Sequence, residues 1–323
     1  MLTARLVPLC GVALAACCLL AGGCAPTVTV APPTTVVREE PPPAVEAPFV
    51  LPTPAGPVSA PGEVEELVPG GAIDWSGKTV RARGTGVVDP GNTDEVQAWL
   101  TAERAATVVA RRNLLEIVKR MRVDSDTRVE QLVAADDSTS RRVEAIVKDA
   151  RQRDPARQDS AAGTVDVEME CDIYGAAGIE NALAPAPSAP VVEADSGSLS
   201  PEAREFLRGY SGLFFDGSSA GLKPSLFPKV FGEGGNLLFD TRECLKRAGQ
   251  AGSYAVQFVG TLDRVLSRPE FVRPPLVLKA REARGKLDAD IVLGRGDAER
   301  VRGMKDAFGF LVGTGRILVK PSP

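Results

Sequence analysis

The chain has 323 residues, of which 44% are hydrophobic, 25% charged and only 5% aromatic, with a formal net charge of −4. That length fits roughly two domains, the near-neutral balance argues against a broad basic face for nucleic acid, and the core must rest on Val, Leu, Ile and Ala. Histidine is absent, which excludes Ser-His-Asp and Cys-His catalysis, His-ligated zinc, His-held haem and an imidazole pH switch.

Met1 to Arg5 carries one positive charge, Leu6 to Leu20 is almost wholly apolar, and Ala21-Gly22-Gly23 leads to Cys24. A charged start, an apolar stretch and small residues before a cut site predict a secretory signal over residues 1–23. The run Leu20-Ala21-Gly22-Gly23-Cys24 resembles a bacterial lipobox, in which the Cys thiol is diacylated and becomes the new N-terminus. The resemblance makes Cys24 the lipid attachment site and acyl chains the contact with the membrane. Leu14-Ala15-Ala16-Cys17 matches the preferred leucine position better, but would leave apolar Cys18-Leu19-Leu20 on the mature chain. An uncleaved helical anchor is the third reading. Ala25 after the Cys, in place of Asp, resembles the default signal for the outer membrane of a Gram-negative bacterium.

Residues 24–70 are dense in Pro, Val, Thr and Ala, including Pro32-Pro33 and Pro41-Pro42-Pro43. Such a segment favours polyproline II at about 3.1 Å per residue, a tether on the order of 100 Å.

A first folded unit is expected over 71–183. Residues 78–84 read as a strand, and Asp89-Pro90-Gly91-Asn92 as a turn. Asn92 or Thr93 then caps a long helix reaching Met121, with Asp94 and Glu95 at its positive end. Val96, Leu100, Ala106, Val109, Ala110, Leu114, Ile117, Val118 and Met121 form its apolar stripe. Residues 123–133 read as a strand, and 142–154 suit either helix or strand. From Gly163 to Tyr174, apolar and acidic residues alternate, which places Cys171 on the apolar face with Val165, Val167, Met169 and Ile173. That position favours a buried free thiol over a bridge to Cys244, although export would permit one.

Four stretches in this unit resemble the LPP-twenty lipoprotein family and the N-terminal domain of flagellar assembly protein T. They are Ala110-Arg111-Arg112-Asn113-Leu114-Leu115-Glu116, Arg122-Val123-Asp124-Ser125-Asp126-Thr127-Arg128-Val129, and Val147-Lys148-Asp149-Ala150-Arg151 with Gly163-Thr164-Val165-Asp166-Val167 beyond it. The resemblance implies an exported αβ domain, a strand within 142–154 pairing with 163–174, and envelope or flagellar partners. It brings no catalytic residues. Arg120 and Asp149 stand where the family usually has Gly. Asp89, with Leu100, Thr101, Arg104 and Ala105 further on, is also similar to the peptidoglycan-binding loop and helix of OmpA-like domains. That likeness implies that Asp89 and Arg104 grip a diaminopimelate side chain through opposite charges, but the Gly-His-Thr signature around them is missing.

A Pro/Ala/Ser linker over 184–198 precedes a second unit over 199–323. Ser200 caps a short helix with Pro201 in its first turn. Strands are expected at 212–216, 276–283, 290–293 and 316–320, with a hairpin over 229–239. Helices are expected over 254–266 and 297–311. The fold class is α+β, in two small domains, each with a core of its own and expected to fold independently.

Gly217-Ser218-Ser219-Ala220-Gly221 satisfies the G-x-S-x-G elbow pattern after a strand. No histidine exists to serve it, Leu222-Lys223-Pro224 replaces the helix that should follow, and only a Ser-Lys dyad with Lys223 is formally open. The pairs Asp124/Asp126 and Asp288/Asp290 are too few for tight cation binding. Arg141, Arg142, Arg151, Arg153 and Arg157, interleaved with Asp149, Asp154 and Asp159, read as a solvated face. The expectation is a non-enzymatic interaction or assembly module of the cell envelope, without cofactor, metal or nucleic acid. Its partners would be envelope proteins, with peptidoglycan or polysaccharide as the alternative.

Overall fold

The computed structural model describes residues 63–184, 199–248, 256–304 and 306–323. Cys24, the signal, most of the tether and the linker after Ala184 lie outside the described residues. No helix among the described residues is long and apolar enough to cross a membrane.

The first half runs β1 (Glu65–Val68), β2 (Gly71–Asp74), β3 (Thr79–Val87), α1 (Glu95–Arg120), α2 (Val129–Ala135), α3 (Asp137–Lys148), β4 (Arg151–Gln152), β5 (Arg157–Asp159), β6 (Thr164–Asp172) and α4 (Ile179–Leu183). Its antiparallel sheet has the order β1-β2-β3-β6-β4, with β5 also on β6. Residues 65–68, assigned to the tether, are instead the edge strand β1, because the prolines stop short of them and Val64 and Trp75 extend the ladder. The cap of α1 is Asp94, whose carboxylate accepts from the Gln97 N–H at 3.0 Å, in place of Asn92 or Thr93.

The buried ridge of α1 also differs from the expected stripe. Ala98, Ala102, Ala106, Ala110 and Leu114 face the sheet at spacing four, while Val96 is 68% exposed and Leu100 42%. The cause lies on β3. A Cβ on Gly84 would stand 2.1 Å from the Ala106 carbonyl oxygen, and one on Gly86 2.0 Å from that of Ala102. Alanine meets glycine across this contact, and Val or Leu would not fit.

Residues 123–133 are not a strand. The Asp124 carboxylate accepts from the Asp126 and Thr127 N–H groups, folding a tight turn from which α2 begins. Residues 137–148 are helical, capped by the Asp136 carboxylate on the Ser138 and Thr139 N–H groups. Only Arg151 and Gln152 pair with β6, as the family likeness implied for part of this stretch. The outer face of β6 carries Asp166, Glu168, Glu170 and Asp172, flanked by arginines of β3 and β4. Arg151 reaches Glu170 at 2.9 Å and Asp172 at 3.1 Å. This sheet face stays wet because its charges are matched.

The second half runs α5 (Pro201–Gly209), β7 (Leu213–Asp216), β8 (Lys229–Gly232), β9 (Leu237–Asp240), α6 (Thr241–Ala248), β10 (Gln257–Phe258), α7 (Leu262–Leu266), β11 (Leu276–Arg284), β12 (Asp290–Leu293), α8 (Arg295–Arg302), α9 (Ala307–Gly313) and β13 (Ile317–Lys320). Its mixed sheet has the order β10-β13-β7-β11-β12-β8-β9. Ser200 caps α5, and β8 and β9 form the expected hairpin. Within the stretch expected as one helix from Tyr254, Gln257 and Phe258 instead form β10, paired with β13; only 262–266 is helical, and residues 254–255 lie outside the described residues. The helix expected over 297–311 is two, α8 and α9. The architecture is α+β.

Both sheets belong to one compact unit over 48–323, and one apolar cluster runs through the two halves. The expected layout of two α+β parts, one sheet in each, holds, and the apolar cluster continues from one part into the other. The Trp75 and Phe258 rings meet edge to face with centroids 5.4 Å apart. The segment after α1 is gripped by the second half: Leu226 and Phe227 donate to the Arg122 and Val123 carbonyls, and the Ser125 hydroxyl donates to Asp290 at 2.5 Å. Cys171 is a buried free thiol, with no bridge to Cys244. Burial pushes the Cys171 thiol up to about 12.

Lys78 crosses the same boundary, donating to the Gln257 side chain at 3.1 Å. Burial lowers its pKa to about 8, with Glu180 opposing and Arg268 adding to the drop. Folding therefore releases this proton between about pH 8 and the usual lysine value, so the cost of the buried charge is full below pH 8 and fades as pH rises. Between pH 7 and 9.5, the wild-type chain should gain about 2 kcal/mol relative to Lys78→Met. Urea midpoints across that range measure it; parallel pH profiles for the two proteins would refute it.

Candidate functional site

The parallel strands β10 and β13 end on the same side of their sheet, with Phe258 beside Val319. In open sheets, ligands lodge outside the carboxyl ends of parallel strands. Here that position holds a cleft of about 510 Å3, bordered by Gly260, Lys320 and Pro321, a volume in the range of small-molecule sites. The opposite wall comes from the first half, through Val64, Glu66, Trp75 and Arg122, and Lys223 and Pro224 close the end. Trp75 is fully buried and forms part of the floor.

The wall charges are mostly spoken for. Arg122 donates to both Glu66 carboxylate oxygens, at 3.1 and 2.5 Å, and to the Pro224 carbonyl at 2.7 Å. Trp75 Nε1 donates to the same Glu66 at 3.4 Å. Glu65 pairs with Arg81, Glu63 with Arg264 at 3.6 Å, and Lys223 with Asp288 at 3.5 Å. Among the described residues, Lys320 makes no contact ion pair. The fixed set orders the walls, and the remaining cation stands at the strand ends.

The residues singled out in the sequence lie elsewhere. Asp89 sits in the exposed turn before α1, where its Oδ1 accepts from the Gly91 N–H at 2.9 Å. Arg104 is exposed on the outward side of α1, beside Leu100 and Val108 in a shallow groove that does not include Asp89. Cys24 lies outside the described residues.

In the G-x-S-x-G segment, the Ser218 hydroxyl donates to Asp216 at 2.6 Å. Ser219 is exposed and has no hydrogen-bonded base among the described residues. Leu222 turns into the core, so the segment is a turn and no helix follows. The two acid pairs converge, which their separation in sequence hid. Lys229 Nζ donates to Asp124 at 2.9 Å, and the Lys229 N–H donates to Asp290 at the same distance. Burial raises the Asp290 carboxyl above its ordinary value, with Ser125 and Lys229 opposing. Burial also works against the Asp124 charge, but the Asp126 N–H and Lys229 outweigh it and hold that carboxyl low. The cation shared here is an ammonium, and no group of three or more metal-ligating side chains occurs among the described residues.

Sequence reasoning missed the cleft because its walls come from six separate stretches. The one local signal was the Lys320-Pro321 step after an apolar strand.

A family model described as the second domain of Treponema pallidum Tp0624 matches residues 203–319, from α5 through most of β13. No curated protein matches the chain. Residues 203–319 are thus similar to the second domain of a Treponema pallidum protein, and Lys320 and Pro321 at the cleft lie just beyond the match.

Proposed function

We propose that the chain is a membrane-anchored lipoprotein of the bacterial cell envelope, acting as a non-enzymatic interaction module through the cleft between its sheets. The observation that carries this reading is the construction of the cleft. Its walls are fixed by a buried Trp and an Arg-Glu pair, and the Ser322 hydroxyl that borders it is held on the Gly217 carbonyl at 2.8 Å. Walls ordered in this way support a binding role. The lipobox-like run ending at Cys24 supports the anchor, and the likeness to LPP-twenty proteins supports an assembly role, with the flagellar base as one setting. The match to a domain counted second in its own protein supports a modular part.

Two measurements test this reading. Cys24→Ser should move the protein from the membrane fraction to an unprocessed or soluble form, because acylation and cleavage both need the thiol. A mature N-terminus elsewhere by mass spectrometry, with membrane association unchanged, would sink the anchor. Affinity capture after crosslinking whole cells should then recover envelope proteins. Sedimentation with purified sacculi, abolished by Arg104→Ala, is the outcome that would replace this reading with peptidoglycan binding.

A further inference from the structure

We infer that the cleft takes a ligand with one anionic group, a carboxylate or phosphate, attached to an apolar body, and that Lys320 receives the anion. The inference rests on the proposal that the cleft is the binding site and adds the chemistry of what enters it.

The charge pattern at the strand ends carries the argument. Lys320 of β13 and Lys279 of β11 both stand in register with Asp216 of β7, so three adjacent parallel strands carry the row Lys-Asp-Lys, at the ends of β13 and β7 and partway along β11. Asp216 does not need either lysine for its hydrogen bonds, since it already accepts from the Ser218 N–H at 3.1 Å and hydroxyl at 2.6 Å. One carboxylate is shared between two ammonium groups, leaving a local excess of one positive charge. Only Lys320 of the three borders the cleft. The other charged groups there have fixed partners, as Arg122 has in Glu66 and Lys223 in Asp288. An entering cation would meet carboxylates each already paired with an arginine, Glu63 the most loosely, whereas an entering anion would meet an ammonium without a contact ion pair.

The rest of the lining decides the body of the ligand. Val64, Pro224 and Pro321 offer apolar surface in the cleft that Lys320 borders, over the buried Trp75. Prolines supply no N–H and no flexible polar arm, so the anion must be recognised at one point and the body by contact alone.

The test uses the full chain in detergent carrying Trp99→Phe, which leaves Trp75 as the only indole. Hexyl phosphate and N-acetyl-leucine are the anionic probes, with hexylamine and hexanol as controls, and Trp75 fluorescence is the readout. At least one anion should give a saturable change that hexylamine does not give. Lys320→Ala should weaken that binding about ten-fold or more, whereas Lys320→Arg should keep it within about three-fold. Preference for the phosphate would point to a lipid or nucleotide source, and preference for the carboxylate to a peptide end. No saturable change with either anion, equal binding of hexylamine, or unchanged binding in a folded Lys320→Ala would overturn the inference. Because captured envelope partners are scored separately, that result would leave the module reading standing or falling on its own test.

Discussion

Gly84→Ala should destabilise the protein by about 3–5 kcal/mol, a large part of the stability of a domain this size. The added methyl would meet the Ala106 carbonyl oxygen at 2.1 Å and the Ala110 nitrogen at 2.3 Å. Both are helix backbone, so no side chain can rotate away. β3 and α1 would have to separate, and the alanine ridge would lose its contacts along the helix. Gly309→Ala makes the internal control. It lies inside α9 with nothing within 4 Å of the new Cβ, and should stabilise the helix by up to about 1 kcal/mol through reduced backbone entropy. Urea unfolding of the two variants would show opposite signs for one chemical change. A loss below about 1 kcal/mol for Gly84→Ala would mean that the helix rides further from the sheet than described.

Trp75→Ala has a comparable expected cost, about 3–5 kcal/mol, from a large side chain removed at zero exposure. Its second effect is more diagnostic. Trp75 meets Phe258 across the boundary between the halves and donates to Glu66 in the cleft wall. Without it, the two sheets lose an aromatic contact between them, while the Ser125–Asp290 and Lys229–Asp124 bonds remain. Unfolding followed by circular dichroism should change from one cooperative transition to a broadened or two-step curve. Limited proteolysis in partial denaturant should then release a fragment starting near residue 199. If the variant melts as sharply as the wild-type chain and close to its midpoint, the halves are coupled mainly by polar bonds and the shared core is of minor weight.

Strand β6 and the length of α1 were legible because each repeats a simple period over nine residues or more. Strict alternation in 164–172 left one register for the buried face, and Cys171 came with it. The N-terminal half of the α1 stripe was not legible. Periodicity ranks Val and Leu above Ala, whereas the burial there was decided by two glycines on β3, more than ten residues upstream. Residues 123–133 misled for a similar reason. Their alternation suits a strand, but Asp124 satisfies the backbone locally, and tertiary pairing with 226–227 supplies the rest. The cleft was the least legible feature. Glu66 and Arg122 bond across 56 positions, and Arg122 and Pro224 across 102, separations that no local pattern records.

The place of β13 carries a consequence for when the protein can fold. It follows every other strand of its sheet in sequence, yet it lies between β10 and β7 and pairs with both. Until residues 317–320 have emerged, β7 and β10 have no common neighbour, and the arginine and phenylalanine cluster around Arg316 cannot close. Pairings this distant in sequence form late and slowly. For a chain threaded across a membrane from its N-terminus, the delay is useful. On the proposed export, the second half would stay unfolded and threadable until β13, the last strand of its sheet in sequence, has passed.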